Sequence, residues 1–301
     1  MSISPKSLSK EDKVAIIATA RKITLKEVLP SVQLFASWGL NVVIGQTIGK
    51  SYNQFAGNDK ERAEELQSML DDKDIKAIFC ARGGYGTTRL LDSLNFDKFI
   101  KNPKWLIGYS DITSLLSHVY YKYNIESIHG IMPVNIENRT SNIATDSLRE
   151  VLFDDKNTIL APYHALNKEG EATGELVGGN LSVLYSLLGS ESFSDTKDKI
   201  LFIEDLDEYL YHIDRMMLGL KRAGKLKNIK ALLVGSFKDM HDNSIPFGAS
   251  SYEIIANISK DLNIPIAFNI PCGHIGTENH AFIHGRQTKV VVSATETKIV
   301  Q

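Results

Sequence analysis

The chain has 301 residues, 43% of them hydrophobic and 23% charged, and a formal net charge of -2. That balance belongs to a globular protein with one or two cores, and it supplies no bulk field to recruit nucleic acid or an anionic membrane. The opening residues, MSISPKSLSKEDK, lack the apolar stretch of a secretory leader, and no run of about 18 apolar residues follows, so a cytoplasmic protein is expected.

Short β-rich runs alternate with helical patterns through the first half. Lys13–Thr19 reads as a buried strand, Leu25–Trp38 as a helix stopped by Gly39, and Asn41–Ile44 as a second strand. Residues 59–70 (DKERAEELQSML) form an amphipathic helix with Asn58 or Asp59 as its cap. Ile75–Ala81 is another buried strand, followed by the turn Gly83-Gly84-Tyr85-Gly86 and a helix through Leu91. Trp105–Ile107 runs as a strand into Gly108-Tyr109-Ser110-Asp111, and a helix follows to about Tyr121. Continuous apolar strands alternating with helices predict a mainly parallel sheet with helices on both faces. Cys80 and Cys272 lie far apart in apolar runs without zinc spacing, and both read as buried thiols.

The pattern changes after about Asn135. Residues 136–175 lack long periodic segments and carry many turn formers. The domain connection is placed at 156–175, between an N-terminal domain of 1–155 and a C-terminal domain of 176–301. Beyond it, Asn180–Leu188 reads as a helix, Lys199–Ile203 as a strand ending at Glu204, and Asp207–Arg222 as a helix. Ile229–Ser236, Pro265–Asn269 and Lys289–Ser293 read as strands, and Ser251–Leu262 as a helix. The fold class is therefore α/β: an N-terminal, mainly parallel sheet flanked by helices, and a second C-terminal α/β domain with mixed strands.

Three segments could carry chemistry. In WLIGYSDIT, a serine stands on a strand-to-helix turn, and the backbone N–H of Asp111 opens the helix at its positive end. Ser110 reads equally as an N-cap with Asp111 as a first-turn acid, and Ile112 occupies the second glycine position of G-x-S-x-G. In ARGGYGTTRLL, three glycines let the backbone approach a ligand closely, yet neither phosphate-binding fingerprint is met. Both loops leave C-terminal strand ends, the edge where open parallel sheets bind ligands. Glu204 ends an apolar strand, while Asp205, Asp207 and Glu208 read as solvated acids at the start of the next helix. His274 stands on a loop after Pro271-Cys272-Gly273, with His280 and His284 close behind. His129 is a lesser candidate, and His118 and His212 fall inside helices. A serine needs an imidazole base, and the imidazole needs a carboxylate to hold its tautomer. Ser110, an acid from 204–208 and a histidine from 274–284 supply all three.

Several longer segments carry a family resemblance: FAGNDKERAEELQ, DIKAIFCARGGYGTTRLLD, WLIGYSDIT, GELVGGNLSVLYSLLGS, LFIEDLDEYLYHIDRMM and PCGH. Together they resemble the LD-carboxypeptidase family of serine peptidases, the muramoyltetrapeptide carboxypeptidases with the related microcin-immunity proteins. The resemblance implies a Ser110–Glu204–His274 triad, and an oxyanion hole from the backbone N–H groups of Asp111 and Gly84. It implies release of terminal D-alanine from murein tetrapeptides during cell-wall recycling, without metal or cofactor, and it implies a homodimer. Arg82, Gly83, Tyr85 and Arg215 are the candidate substrate-binding residues, and Arg82, Arg89 or Arg215 could meet the terminal carboxylate. The chain departs from the family pattern at Ala18-Thr19-Ala20-Arg21 and at the AFIHG segment after His274. Two rival readings stand beside this one. One is hydrolysis of aminoacyl-adenylate toxins, against which the chain's compact length argues. The other is a non-catalytic binder of peptidoglycan fragments.

Overall fold

The computed structural model describes residues 2–137 and 141–301; residues 138–140, inside the stretch read as turn-rich, lie outside the described residues. Strands β1 (Lys13–Ile17), β2 (Asn41–Ile44), β3 (Ile75–Cys80), β4 (Trp105–Gly108) and β5 (Ser127–His129) build the first sheet. All their pairings are parallel, as near-continuous burial of the apolar runs requires when helices cover both faces. The intervening helices are α1 (Leu25–Ser37), α2 (Asp59–Asp71), α3 (Asp97–Lys101) and α4 (Thr113–Tyr123). Capping boxes start two of them, Thr24 with Glu27 at α1 and Asn58 with Glu61 at α2. The segment after the glycine turn, Thr87–Ser93, is a 3₁₀ turn and not the expected α-helix. Its first N–H, from Thr87, is held by the Asp111 carboxylate at 2.9 Å, which ties this turn to the next loop.

The stretch read as turn-rich holds α5 (Ile143–Asp154), β6 (Thr158–Pro162) and the start of β7 (Gly170–Asn180). These elements escaped the sequence because β6 is a short antiparallel strand at a sheet edge, and Gly170 and Gly174 dilute the strand pattern of β7. The chain continues through α6 (Leu181–Ser186), β8 (Ile200–Leu206), α7 (Leu210–Arg222), β9 (Ala231–Lys238), α8 (Ser251–Ser259) and β10 (Ile266–Ala267). It ends with β11 (Phe282–His284), β12 (Gln287–Val292) and β13 (Glu296–Val300). The second sheet has the order β10-β9-β8-β7-β12-β13-β6. Its β7–β10 part is parallel, and β12, β13 and β6 extend it in antiparallel fashion.

Strand β11 does not join that second sheet. It pairs antiparallel with β5, Phe282 opposite His129, and so extends the first sheet. The chain therefore crosses from one sheet to the other between β10 and β11. The sheets also meet through Phe202 of β8, whose ring lies edge-on to His129 at 5.0 Å and to Phe282 at 5.3 Å.

On α2, Arg62 shares the buried stripe of Leu66 and Leu70. Its side chain is fully buried, and Nη1 donates to the carbonyls of Thr19 and, at 3.0 Å, Gly86; Nη2 meets Asp59. One guanidinium thus fastens the loop after β1 to the glycine turn after β3. Replacing it by Arg62→Met should lower the unfolding free energy by about 3 kcal/mol, because two buried carbonyls lose their donor. Urea denaturation measures this; a loss below about 1 kcal/mol would mean that water reaches both carbonyls.

Candidate active site

Glu204 lies in β8, the strand whose residues 200–205 are all buried, and its carboxylate is fully enclosed. Oε2 meets His274 Nδ1 at 2.7 Å, whereas Oε1 has no hydrogen-bond partner among the described residues. His274 sits on the segment that crosses from β10 to β11. Its own N–H donates to Ser236 Oγ of β9 at 3.1 Å, and the preceding Gly273 N–H donates to Asn279 Oδ1 at 2.8 Å. These two bonds fix the loop, so the ring is aimed by backbone as well as by Glu204.

The other face of the ring lies against Tyr109, with centroids 4.8 Å apart. Tyr109 is buried, and its hydroxyl donates to Asn135 Oδ1 at 3.2 Å. The residue immediately before Ser110 is therefore packed on the imidazole, which joins the elbow of the first sheet to the acid–imidazole pair of the second. A second tie lies beside it: the Asn180 N–H at the end of β7 donates to Thr113 Oγ1, at the start of α4, at 3.1 Å.

Ser110 does not act as the helix cap that its position allows. No side-chain cap hydrogen bond starts α4 or the short turn before it, and the residue preceding α4 is Ile112. Its backbone is instead left-handed, φ 61°. Among the described residues ten non-glycines have positive φ, and eight are Asn or Asp, which tolerate it. Ser110 is one of the two that are not, which marks a strained elbow of the kind that presents a nucleophile. The glycine turn closes on it. A Cβ at Gly83 would lie 3.1 Å from Ser110 Cβ and 3.3 Å from Oγ, so a larger residue would press on the hydroxyl. Among the described residues no hydrogen bond joins Ser110 Oγ to the ring; Glu204 is the partner of His274. Catalytic hydrogen bonds are often long before substrate binds.

The electrostatics follow from one buried carboxylate. Burial alone would lower the pKa of His274, but the charge of Glu204 and its hydrogen bond outweigh that and raise it. Tyr109 is raised by burial and then by Glu204. Asp205 is pushed up to about 7, first by burial and then by the neighbouring Glu204 charge. The expectation of a solvated acid fails for Asp205: it is buried and accepts from Asn180 Nδ2 at 2.9 Å and from the Ser182 N–H at 2.8 Å. Asp207 and Glu208 instead meet His241 and His212 respectively. Asp111, also buried, is raised by burial.

The remaining candidates separate by position. His129 and His284 are fully buried, both ring nitrogens of each without a partner among the described residues, and burial lowers them to about 4 and about 3. Neither is a base near neutrality. His118 is buried against Ser192, its Nδ1 2.9 Å from the hydroxyl. Arg82 lies 3.6 Å from Glu27, Arg89 is paired with Asp59, and Arg215 stacks over Tyr211 at 5.3 Å. Tyr85 is half-exposed beside Phe55, their centroids 6.1 Å apart. Cys80 and Cys272 are free and buried, as the sequence led us to expect; burial pushes Cys80 up to about 12. Sequence reading gave no role to Tyr109 and took Asp205 for a solvated acid. Only adjacency to Ser110 and Glu204 could have flagged them.

A parallel-sheet elbow carrying a serine of left-handed backbone, packed through Tyr109 against a carboxylate–imidazole pair, defines a candidate hydrolase site in a two-sheet α/β fold. Residues 14–130 match the LD-carboxypeptidase N-terminal domain and residues 173–290 the LD-carboxypeptidase C-terminal domain. The chain belongs to the LD-carboxypeptidase family. It is 36% identical over 238 residues to the probable murein peptide carboxypeptidase of Bacillus subtilis (strain 168), covering 77% of this chain and 74% of that one. It is 29% identical over 269 residues to the microcin C7 self-immunity protein of Escherichia coli, 78% of this chain and 77% of that one. The crystal structure of muramoyltetrapeptide carboxypeptidase from Oxalobacter formigenes superposes with a TM-score of 0.87 at 26% identity, over 96% of this chain and 98% of that one. Among the described residues no helix is long and apolar enough to cross a membrane.

The raised His274 makes the charged pair a pH-dependent clamp. Its contribution to stability is full below the unfolded imidazole value of about 6.5 and is lost as the pH rises through the higher folded value. In an NMR titration the His274 ring should therefore show a midpoint above about 6.5, and Glu204→Gln should lower it, since burial is then opposed only by the weaker pull of Asp205. An unchanged midpoint in the variant would show that Glu204 does not control the ring.

Proposed function

We propose that the protein is a serine carboxypeptidase that hydrolyses the L,D-amide bond releasing terminal D-alanine from murein tetrapeptides. The observation that carries this reading is the Glu204–His274 pair, packed through Tyr109 onto the elbow that holds Ser110 in a left-handed conformation. Family membership and the named murein carboxypeptidase relatives support the substrate class. Turnover of cell-wall fragments in the cytosol, by a homodimer, belongs to the same reading.

In the proposed mechanism Nδ1–H of His274 stays bonded to Glu204, which leaves Nε2 free to take the Ser110 proton. Ser110 Oγ attacks the scissile carbonyl, and the backbone N–H groups of Asp111 and Gly84 hold the tetrahedral oxyanion. His274 then protonates the departing amine, free D-alanine leaves, and an ester remains on Ser110. Water, activated by the same imidazole, attacks that ester and restores the hydroxyl. Arg82, Gly83, Tyr85 and Arg215 are offered as substrate contacts in this scheme.

Likeness to the microcin self-immunity protein supports a second reading, hydrolysis of an aminoacyl-nucleotide amide by the same serine. Incubation of purified protein with LD- and DL-peptides and an aminoacyl-nucleotide amide, with products weighed by mass spectrometry, separates the two. Release of D-alanine from the LD-tetrapeptide alone is the expected result; cleavage confined to the nucleotide amide would replace the reading.

Ser110→Ala should reduce D-alanine release by at least about 10³-fold and abolish labelling by a fluorophosphonate. Glu204→Gln should leave the fold intact and reduce the rate by about 10³- to 10⁴-fold, because the ring loses its tautomer and its counter-charge. Wild-type turnover in the Ser110→Ala protein would remove the serine from the reaction.

A further inference from the structure

A carboxypeptidase must distinguish a free terminal carboxylate from a continuing chain, and the cation for that task has to stand beside the nucleophile. The arginines with the strongest sequence claim are already occupied: Arg89 by Asp59, Arg82 by Glu27 and Arg215 by the Tyr211 ring. Arg21 is different. It follows β1 in the segment where the chain departs from the family pattern, it is exposed, and its guanidinium enters none of the ion pairs or cation–π contacts among the described residues.

We propose that Arg21 is the specificity-determining residue that binds the carboxylate of the leaving D-amino acid; this rests on the carboxypeptidase reading above. The geometry runs through two glycines. The Arg21 N–H donates to the Gly83 carbonyl at 3.4 Å, so the loop after β1 rides on the glycine turn. A Cβ at Gly84 would lie 2.5 Å from Arg21 Cδ and 2.7 Å from Nε, so the arginine stem crosses the bare face of Gly84. The adjacent Gly83 closes on Ser110 Oγ. Gly84, with φ +105°, has a conformation that disfavours a side chain, which keeps this face open for the arginine. The forked guanidinium and the nucleophile thus flank the same two residues.

In the peptide to be cleaved, one Cα separates the scissile nitrogen from the terminal carboxylate carbon, about 2.5 Å away, so the cation that binds the carboxylate has to stand close to the nucleophile. A planar fork of N–H donors matches a carboxylate in a bidentate pair, and among the described residues Arg21 has no paired anion that would have to be displaced. Arg82 would have to leave Glu27 first.

The test compares a murein tetrapeptide ending in free D-alanine with the same peptide ending in D-alaninamide. Equilibrium binding is measured on Ser110→Ala protein, so that neither ligand is consumed. The expected result is tighter binding of the acid than of the amide. Arg21→Gln should weaken the acid about 10- to 100-fold and leave the amide unchanged, with Arg21→Lys recovering part of the loss. In the protein with Ser110 intact, Arg21→Gln should raise KM for the acid by a similar factor with kcat nearly unchanged. Equal binding of acid and amide, or equal weakening of both by Arg21→Gln, would overturn the proposal. Arg82→Gln run alongside should have the smaller effect; the reverse ranking would also overturn it. Absence of D-alanine release by the wild-type protein would instead count against the carboxypeptidase reading, independently of the binding result.

Discussion

A single buried carboxylate organises this molecule's centre. Glu204 is wholly enclosed, one of its oxygens has no hydrogen-bond partner among the described residues, and the other meets the His274 ring at 2.7 Å. An enclosed charge is costly unless a partner answers it. Here the answer is an imidazole that gains its proton more readily than burial would allow. The same charge reaches Tyr109 and Asp205, both held towards their protonated forms. Removing the carboxylate therefore does more than delete one hydrogen bond. It also removes the charge that raises His274 and adds to the upward shifts of Tyr109 and Asp205.

That pair is useful only because the two sheets are locked together beside it. The chain leaves the second sheet at β10 and enters the first as β11, and His274 sits on the crossing segment. Pairing of β11 with β5, the Phe202 contacts with His129 and Phe282, and the Asn180–Thr113 hydrogen bond all act across the same seam. Opening the seam would carry the imidazole away from Tyr109 and the elbow. The packing that stabilises the fold and the alignment of the site are one set of contacts.

The loops of the first sheet show a similar economy. Arg62 holds the loop after β1 to the glycine turn, Asp111 holds the turn's Thr87 N–H, and Gly83 lets that turn close on Ser110. Three loops at the C-terminal ends of β1, β3 and β4 are thereby braced by buried polar side chains. Such a brace suits backbone donors that must be pre-set toward a developing negative charge.

Local pattern in the sequence determined β1 to β4 and the helices α1, α2 and α4, because fully buried parallel strands are apolar runs and the caps of α1 and α2 are short-range signals; it did not foresee α3 or delimit β5, and it read an α-helix where Thr87–Ser93 is a 3₁₀ turn. It also supplied the serine on its strand-to-helix turn, the acid at the end of β8 and the histidine after Pro271-Cys272-Gly273. Local pattern did not reveal β6, the start of β7, or the passage of β11 into the first sheet, since edge and glycine-containing strands are specified by their partners rather than by their own composition. Nor could it distinguish Ser110 as a cap from Ser110 in a left-handed elbow, or a solvated Asp205 from a buried one. Those outcomes depend on backbone torsion and burial set by residues on other elements, Gly83 beside Ser110 and Asn180 and Ser182 around Asp205, and only the tertiary structure decides them.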